Sequence, residues 1–83
     1  MHALAIAQEI VRQSVNAAER EGPVQIRAFH IKLGPLDFVS RDELEFCIQA
    51  AAQGTIAEGA AVHIREVEKG KIEVEGVDVE VVA

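Results

Sequence analysis

Tryptophan and tyrosine are absent from this chain and phenylalanine occurs only three times. The large aromatic anchors that dominate tight protein interfaces are therefore scarce. A single cysteine, Cys47, excludes an internal disulfide, and without a CxxC pair no cysteine set exists to hold tetrahedral zinc. Basic residues are few: eight Lys and Arg stand against fourteen Asp and Glu, a net charge of −6. Nucleic acids and anionic membranes are met through clustered Lys and Arg, so neither is expected as a partner. Cations and basic protein surfaces suit this charge better. No Gly-rich phosphate loop and no basic stripe interleaved with aromatics is present. The first apolar segment is interrupted by Gln8, Glu9, Arg12 and Gln13, which fits neither a signal peptide nor a membrane span. The chain reads as cytoplasmic.

Eighty-three residues make one small domain, 1–83, near the lower limit for a core that holds without disulfides or structural metal. The apolar fraction of 49% is enough for such a core, and Ala, Val and Ile supply most of it. At a helical period, Leu4, Ile6, Ala7, Ile10, Val11, Val15, Ala17 and Ala18 share one half of a wheel. Gln8, Glu9, Arg12, Gln13, Asn16, Glu19 and Arg20 fill the other half, and only Ala5 and Ser14 break the division. Gly22-Pro23 supplies the stop, so residues 3 to 21 are expected to form the first helix.

The period then shortens to two. Phe29, Ile31 and Leu33 alternate with Ala28, His30 and Lys32 in a strand predicted over 24 to 33. Val24 and Ile26 lie on the opposite parity, which calls for a bulge near Arg27 or Ala28, or for a late strand start. After Gly34-Pro35, Leu36 and Phe38 are expected to turn inward and plug the core. Ser40-Arg-Asp-Glu43 has the spacing of a capping box, so a second helix starts at Arg41. Its apolar stripe is Leu44, Cys47, Ile48, Ala51 and Ala52, and Gly54 ends it. Phe46 points away from that stripe, either packing on the Leu36/Phe38 loop or standing exposed as a partner contact. Val62, Ile64 and Val67 mark another strand, Glu68-Lys69-Gly70-Lys71 a hairpin-like turn, and Ile72 and Val74 the return. Gly76 shifts the parity as a bulge or a second tight turn before Val77, Val79 and Val81. The order αβαββ predicts an α+β domain, with two helices on one face of a mostly antiparallel three-stranded sheet.

Little in this pattern suggests catalysis. Cys47 lies on the apolar stripe as a small core residue, and no Ser or Cys accompanies a histidine base in a known motif. The acidic run Glu66, Glu68, Glu73, Glu75, Asp78 and Glu80 alternates with apolar residues, as a solvated sheet face does, and receives no chemistry. His30 and His63 should point to that face and approach each other if their strands are neighbours. The N-terminus is the candidate metal site. The α-amine of Met1, the amide nitrogen and imidazole of His2 and the amide of Ala3 can present four nitrogens in one plane, which suits square-planar Ni(II) or Cu(II).

Met1-His2 entering a helix, the strand end Ile31-Lys-Leu-Gly34 with Leu36 after it, Leu44-Glu-Phe46, and Gly54-Thr-Ile-Ala-Glu-Gly59-Ala occur in fixed order. Together they resemble the nickel-binding half of the HypA/HybF family over residues 1 to about 67, and the last strand is also similar. The resemblance implies a metallochaperone, not an enzyme, that delivers Ni(II) for maturation of NiFe hydrogenase or urease. It implies a HypB-like GTPase and the hydrogenase large subunit as partners. Two departures accompany it. Ala3 stands where the family usually has Glu, and Val67 to Glu75 occupies the space of a zinc domain with two CxxC pairs, so zinc is not expected. The alternative is a metal-independent protein-interaction module that retains the fold. The exposed edge expected at Val77 to Val82 adds a homodimer to the expected associations.

Overall fold

The computed structural model describes residues 2–82. Helix α1 spans Ala3–Glu19, strand β1 Val24–Leu33, helix α2 Arg41–Ala52, strand β2 Ala61–Glu66 and strand β3 Glu73–Val81. The α+β order αβαββ is the one the periodicities predict. Ala7, Ile10, Val11 and Ala18 of α1 are buried as expected, while Ser14 lies inside with them and Leu4 faces solvent. The Ser14 hydroxyl has no hydrogen-bond partner among the described residues, and the side chain is small enough to fit there. Helix α1 stops at Glu19, two residues short of the expectation, where Arg20 caps it.

Strand β1 is the centre of the sheet, whose order is β2-β1-β3. It pairs in parallel with β2, from Ala28 opposite Ala61 to Leu33 opposite Glu66. It pairs antiparallel with β3, from Val24 opposite Val81 to Lys32 opposite Glu73. The sheet is thus mixed, not mostly antiparallel. Helix α2 is the crossover that a parallel pair requires, returning the chain to the end of the sheet from which β1 set out. Strands β2 and β3 do not touch as a hairpin. The expected Glu68–Lys71 turn is instead a bridge over the end of β1, tied to the loop beneath by Leu36 N–H to Gly70 O (3.1 Å) and Ile72 N–H to Asp37 Oδ2 (3.1 Å).

The parity change in β1 is a bulge at Arg27, which has no partner between Ile26/Val79 and Ala28/Asp78. A second irregularity faces His30 and Ile31, where Gly76 and then Val74 are the partners and Glu75 is left over. The bulge at Arg27 lets β1 bury apolar side chains along its whole length, whereas Val79 and Val81 at the far end of β3 stay exposed. Phe29, Ile26, Ile31, Leu44 and Ile48 are the largest fully buried side chains, each contributing about 1.5–3 kcal/mol relative to exposure. The segment after α2 is self-bonded. Thr55 Oγ1 donates to Ala52 O (2.7 Å) and accepts from Ala57 N–H (3.0 Å), Glu58 Oε1 accepts from Gly54 N–H (2.7 Å), and Ile56 O accepts from Ile26 N–H (2.9 Å). That gives the Gly54–Gly59 stretch a structural reason for its residues: it continues the sheet edge beyond β2 and holds Ala57 in the core.

The capping box is present as read: Ser40 Oγ accepts from Glu43 N–H (3.1 Å), and Ser40 N–H donates to Glu43 Oε1 (3.4 Å). The expected core plugs are not. A 3-10 turn over Pro35–Asp37 throws both side chains outward, leaving Leu36 60% and Phe38 94% exposed, while Val39 packs against the core in their place. Phe38 also sits in the left-handed region, φ 54° and ψ 42°, a conformation costing about 1–2 kcal/mol for an L side chain. Phe38→Gly removes that strain and no packing. Less the entropy cost of glycine, it is expected to gain about 0.5–1 kcal/mol, or roughly 4 °C in thermal unfolding. A loss of stability would show that the ring makes a contact worth keeping.

Candidate metal centre

Helix α1 begins at Ala3, and that start decides what the N-terminus can do. His2 is the N-cap residue with extended backbone (φ −76°, ψ 135°), its side chain exposed and making no capping bond. Its carbonyl accepts from Ala5 N–H (3.1 Å) and Ile6 N–H (3.3 Å). The amides of His2 and Ala3 come before any residue four positions back, so the helix offers them no acceptor. Ala3 is itself buried, which fixes the backbone while the imidazole stays in solvent. No acidic residue lies in the first turn to add a carboxylate ligand. Met1, the source of the α-amine in the sequence reading, lies outside the described residues.

The remaining sequence candidates fall in two places. Cys47 is half-buried against the core, as its stripe position implied, and Phe46 is 71% exposed on the outer side of α2. His30 and His63 lie directly opposite each other on β1 and β2. Their rings stack with centroids 5.2 Å apart and planes inclined by 17°. The sequence reading set Asp78 among solvated carboxylates. Its Oδ2 in fact accepts from His30 Nε2 at 3.0 Å, an association that only the order β2-β1-β3 reveals. No group of three or more His, Cys, Asp or Glu is assembled as a metal cage among the described residues.

This open face is a mosaic of cross-strand pairs: Arg27 with Glu80 (3.0 Å), Lys32 with Glu73 (2.8 Å) and Arg65 with Glu75 (2.7 Å). The hydrogen bond from Arg65 holds the Glu75 carboxyl below the usual carboxylate range, and Arg27 does the same to Glu80. On α1, Arg12 likewise depresses Glu9. These groups are solvent-exposed, so their contribution is to the register of charges more than to stability. Among the described residues no helix is long and apolar enough to cross a membrane.

Comparison with known proteins covers most of the chain. A family model described as hydrogenase/urease nickel incorporation, metallochaperone, hypA matches residues 1–77. A hydrogenase maturation factor HypA of Chlorobaculum tepidum is 39% identical over 79 residues, covering 94% of this chain and 70% of the relative. Proteins of that name from Thermococcus gammatolerans and Thermococcus kodakarensis are each 40% identical over 68 residues, 82% of this chain. The chain spans about half the length of these two relatives, 49% in each case.

Proposed function

The chain belongs to the HypA family, and from that premise we propose that it is a nickel-binding metallochaperone whose cargo sits at its N-terminus. The observation that carries the reading is the start of α1 at Ala3, which leaves the His2 imidazole exposed beside two backbone amides without helical acceptors. With the α-amine of Met1 these give four nitrogen donors, and Ala3, in the place of the family's usual Glu, supplies its amide and no carboxylate. Binding removes a proton from each amide, so a Ni(II) ion with four such nitrogens carries no net charge. The positive end of the helix dipole then does not oppose it.

Delivery follows from exposure: an ion held at a helix tip is reached by a partner without unfolding the core. The partners in this proposal are a HypB-like GTPase and, as recipient, the hydrogenase large subunit, with urease as a second destination. The chain acts by binding and transfer, not catalysis. The fold is held by an apolar core with Cys47 as its lone cysteine, which supports a domain independent of structural zinc.

Calorimetry with Ni(II) tests the site on three proteins: wild type, His2→Ala and a form with one residue added before Met1. One tightly bound ion per wild-type chain is expected, with the affinity of that tight site lower by roughly a hundredfold, about 2.7 kcal/mol, in each altered form. Equal affinity in all three would remove the chelate. No nickel binding by any of the three would favour the metal-independent interaction module, for which the exposed Phe46 is the observation at hand.

A further inference from the structure

A second metal site emerges on the face of the sheet away from the helices, and its argument stands apart from the N-terminal reading. His30 on β1 and His63 on β2 are exact register partners of a parallel pair, so their Cα atoms are fixed as neighbours by backbone hydrogen bonds rather than by side-chain choice. Both point to solvent, His63 exposed and His30 partly so. The stacked rings, 5.2 Å between centroids, flank a shallow recess that Arg65 and Glu75 also line.

The opposite strand sets the state of one ring. Gly76 is the β3 partner of His30, and Asp78, two residues on along β3, reaches the imidazole, its Oδ2 lying 3.0 Å from Nε2. An ionised carboxylate only accepts, so Nε2 must carry the proton. In the neutral ring that leaves Nδ1 with the free lone pair. A carboxylate bonded to one imidazole nitrogen while a metal takes the other is the arrangement that orients metal-binding histidines and raises their basicity.

We propose that His30, through Nδ1, and His63 together bind a first-row divalent cation, Ni(II), Co(II), Cu(II) or Zn(II), with Asp78 as the carboxylate behind His30 and water completing the coordination. Imidazole nitrogens suit these ions, whereas Mg(II) and Ca(II) prefer oxygen. Bonds of about 2.1 Å place two cis nitrogens about 3 Å apart, a closure that the more exposed His63 makes by rotation about its χ angles while Asp78 holds His30. The neighbouring cations do not stand bare against the ion, since Arg65 is paired with Glu75 and Lys32 with Glu73. With only two protein donors, the site is open and labile.

The test is a Ni(II) titration in the His2→Ala background, where the N-terminal chelate is disabled. One weaker ion per chain is expected to remain. Adding His30→Gln or His63→Gln should reduce its affinity at least tenfold, and Asp78→Asn severalfold, with unfolding curves showing that all three remain folded. Proton NMR gives a second readout that does not depend on the variants. A four-nitrogen plane with deprotonated amides yields low-spin, diamagnetic Ni(II), whereas two imidazoles and water yield a paramagnetic ion. Broadening should therefore centre on Phe29, His30, Val62 and His63. No residual binding in the His2→Ala protein, binding unchanged by both glutamine variants, or broadening centred elsewhere would overturn the proposal. Loss of the N-terminal site alone, with this one intact, would be seen as wild type and His2→Ala binding alike.

Discussion

Gly34→Ala is expected to lower the melting temperature by roughly 15–25 °C, a loss of about 3–4 kcal/mol in a domain of this size. The backbone conformation of Gly34 is not the reason, for its φ is an ordinary negative one (−91°). What matters is the bridge between β2 and β3, which passes over the end of β1 so closely that a Cβ on Gly34 would lie 2.1 Å from the Gly70 carbonyl oxygen and 2.4 Å from its carbon. Lys71 O would be 2.9 Å away. These are backbone atoms and cannot rotate aside. Moving the bridge breaks the Leu36–Gly70 and Ile72–Asp37 hydrogen bonds, each worth about 1 kcal/mol. Overpacking adds about 1–3 kcal/mol. Gly76→Ala is the control: its Cβ would meet nothing within 4 Å, and its φ is not positive. If thermal scans place the two variants within roughly 3 °C of each other, the close approach is not what holds this end of the sheet.

Phe29→Ala should cost about 3–5 kcal/mol, a large share of the total of about 4–12 kcal/mol available to a domain of this length. Phe29 is fully buried between the sheet and the second helix, and with Ile48 and Ala60 it closes the end of the core near Gly59. Removing the ring leaves a cavity that neighbouring Ala side chains are too short to fill. Phe46→Ala, at an exposed position, should change stability by less than about 0.5 kcal/mol. Urea titrations of the two separate a structural phenylalanine from one available to a partner. Similar midpoints for the two would contradict the burial that distinguishes them.

Local chemistry made much of this fold readable. Ser40 and Glu43 satisfy one another's backbone neighbours at a fixed spacing, so the start of α2 needed no tertiary information. The clash of parity between Ile26 and Phe29 calls for a bulge near Arg27 or Ala28 or a late strand start, and the strand has the bulge, at Arg27, because both side chains must reach the same core. Nothing local tells a strand which neighbour it will take. Glu68–Lys71 has the composition of a hairpin turn, yet β1 intervenes between β2 and β3, and only long-range pairing decides that. Leu36 and Phe38 show that apolar character does not bury a residue when a 3-10 turn aims it outward. Ser14 shows the converse. Among the candidate residues, the sequence puts forward His2 as a ligand and marks His30 and His63 as surface histidines that approach each other if their strands adjoin. Asp78 was out of reach, since its partnership with His30 depends on the antiparallel register of β1 with β3.

The central position of β1 also orders events in time. Its parallel partner β2 is reached through α2, so the unit from Val24 to Glu66 can assemble from contacts of moderate separation. Its antiparallel partner β3 closes the other edge by joining Val24 to Val81, residues about two thirds of the chain apart. Such closure costs entropy before it returns any burial, and it slows folding relative to helical proteins of similar length. Until β3 arrives, β1 has one row of amides and carbonyls unpaired. A nascent or partly opened chain is therefore most exposed to aberrant strand addition at the same strand that, once flanked on both sides, is the best protected in the molecule.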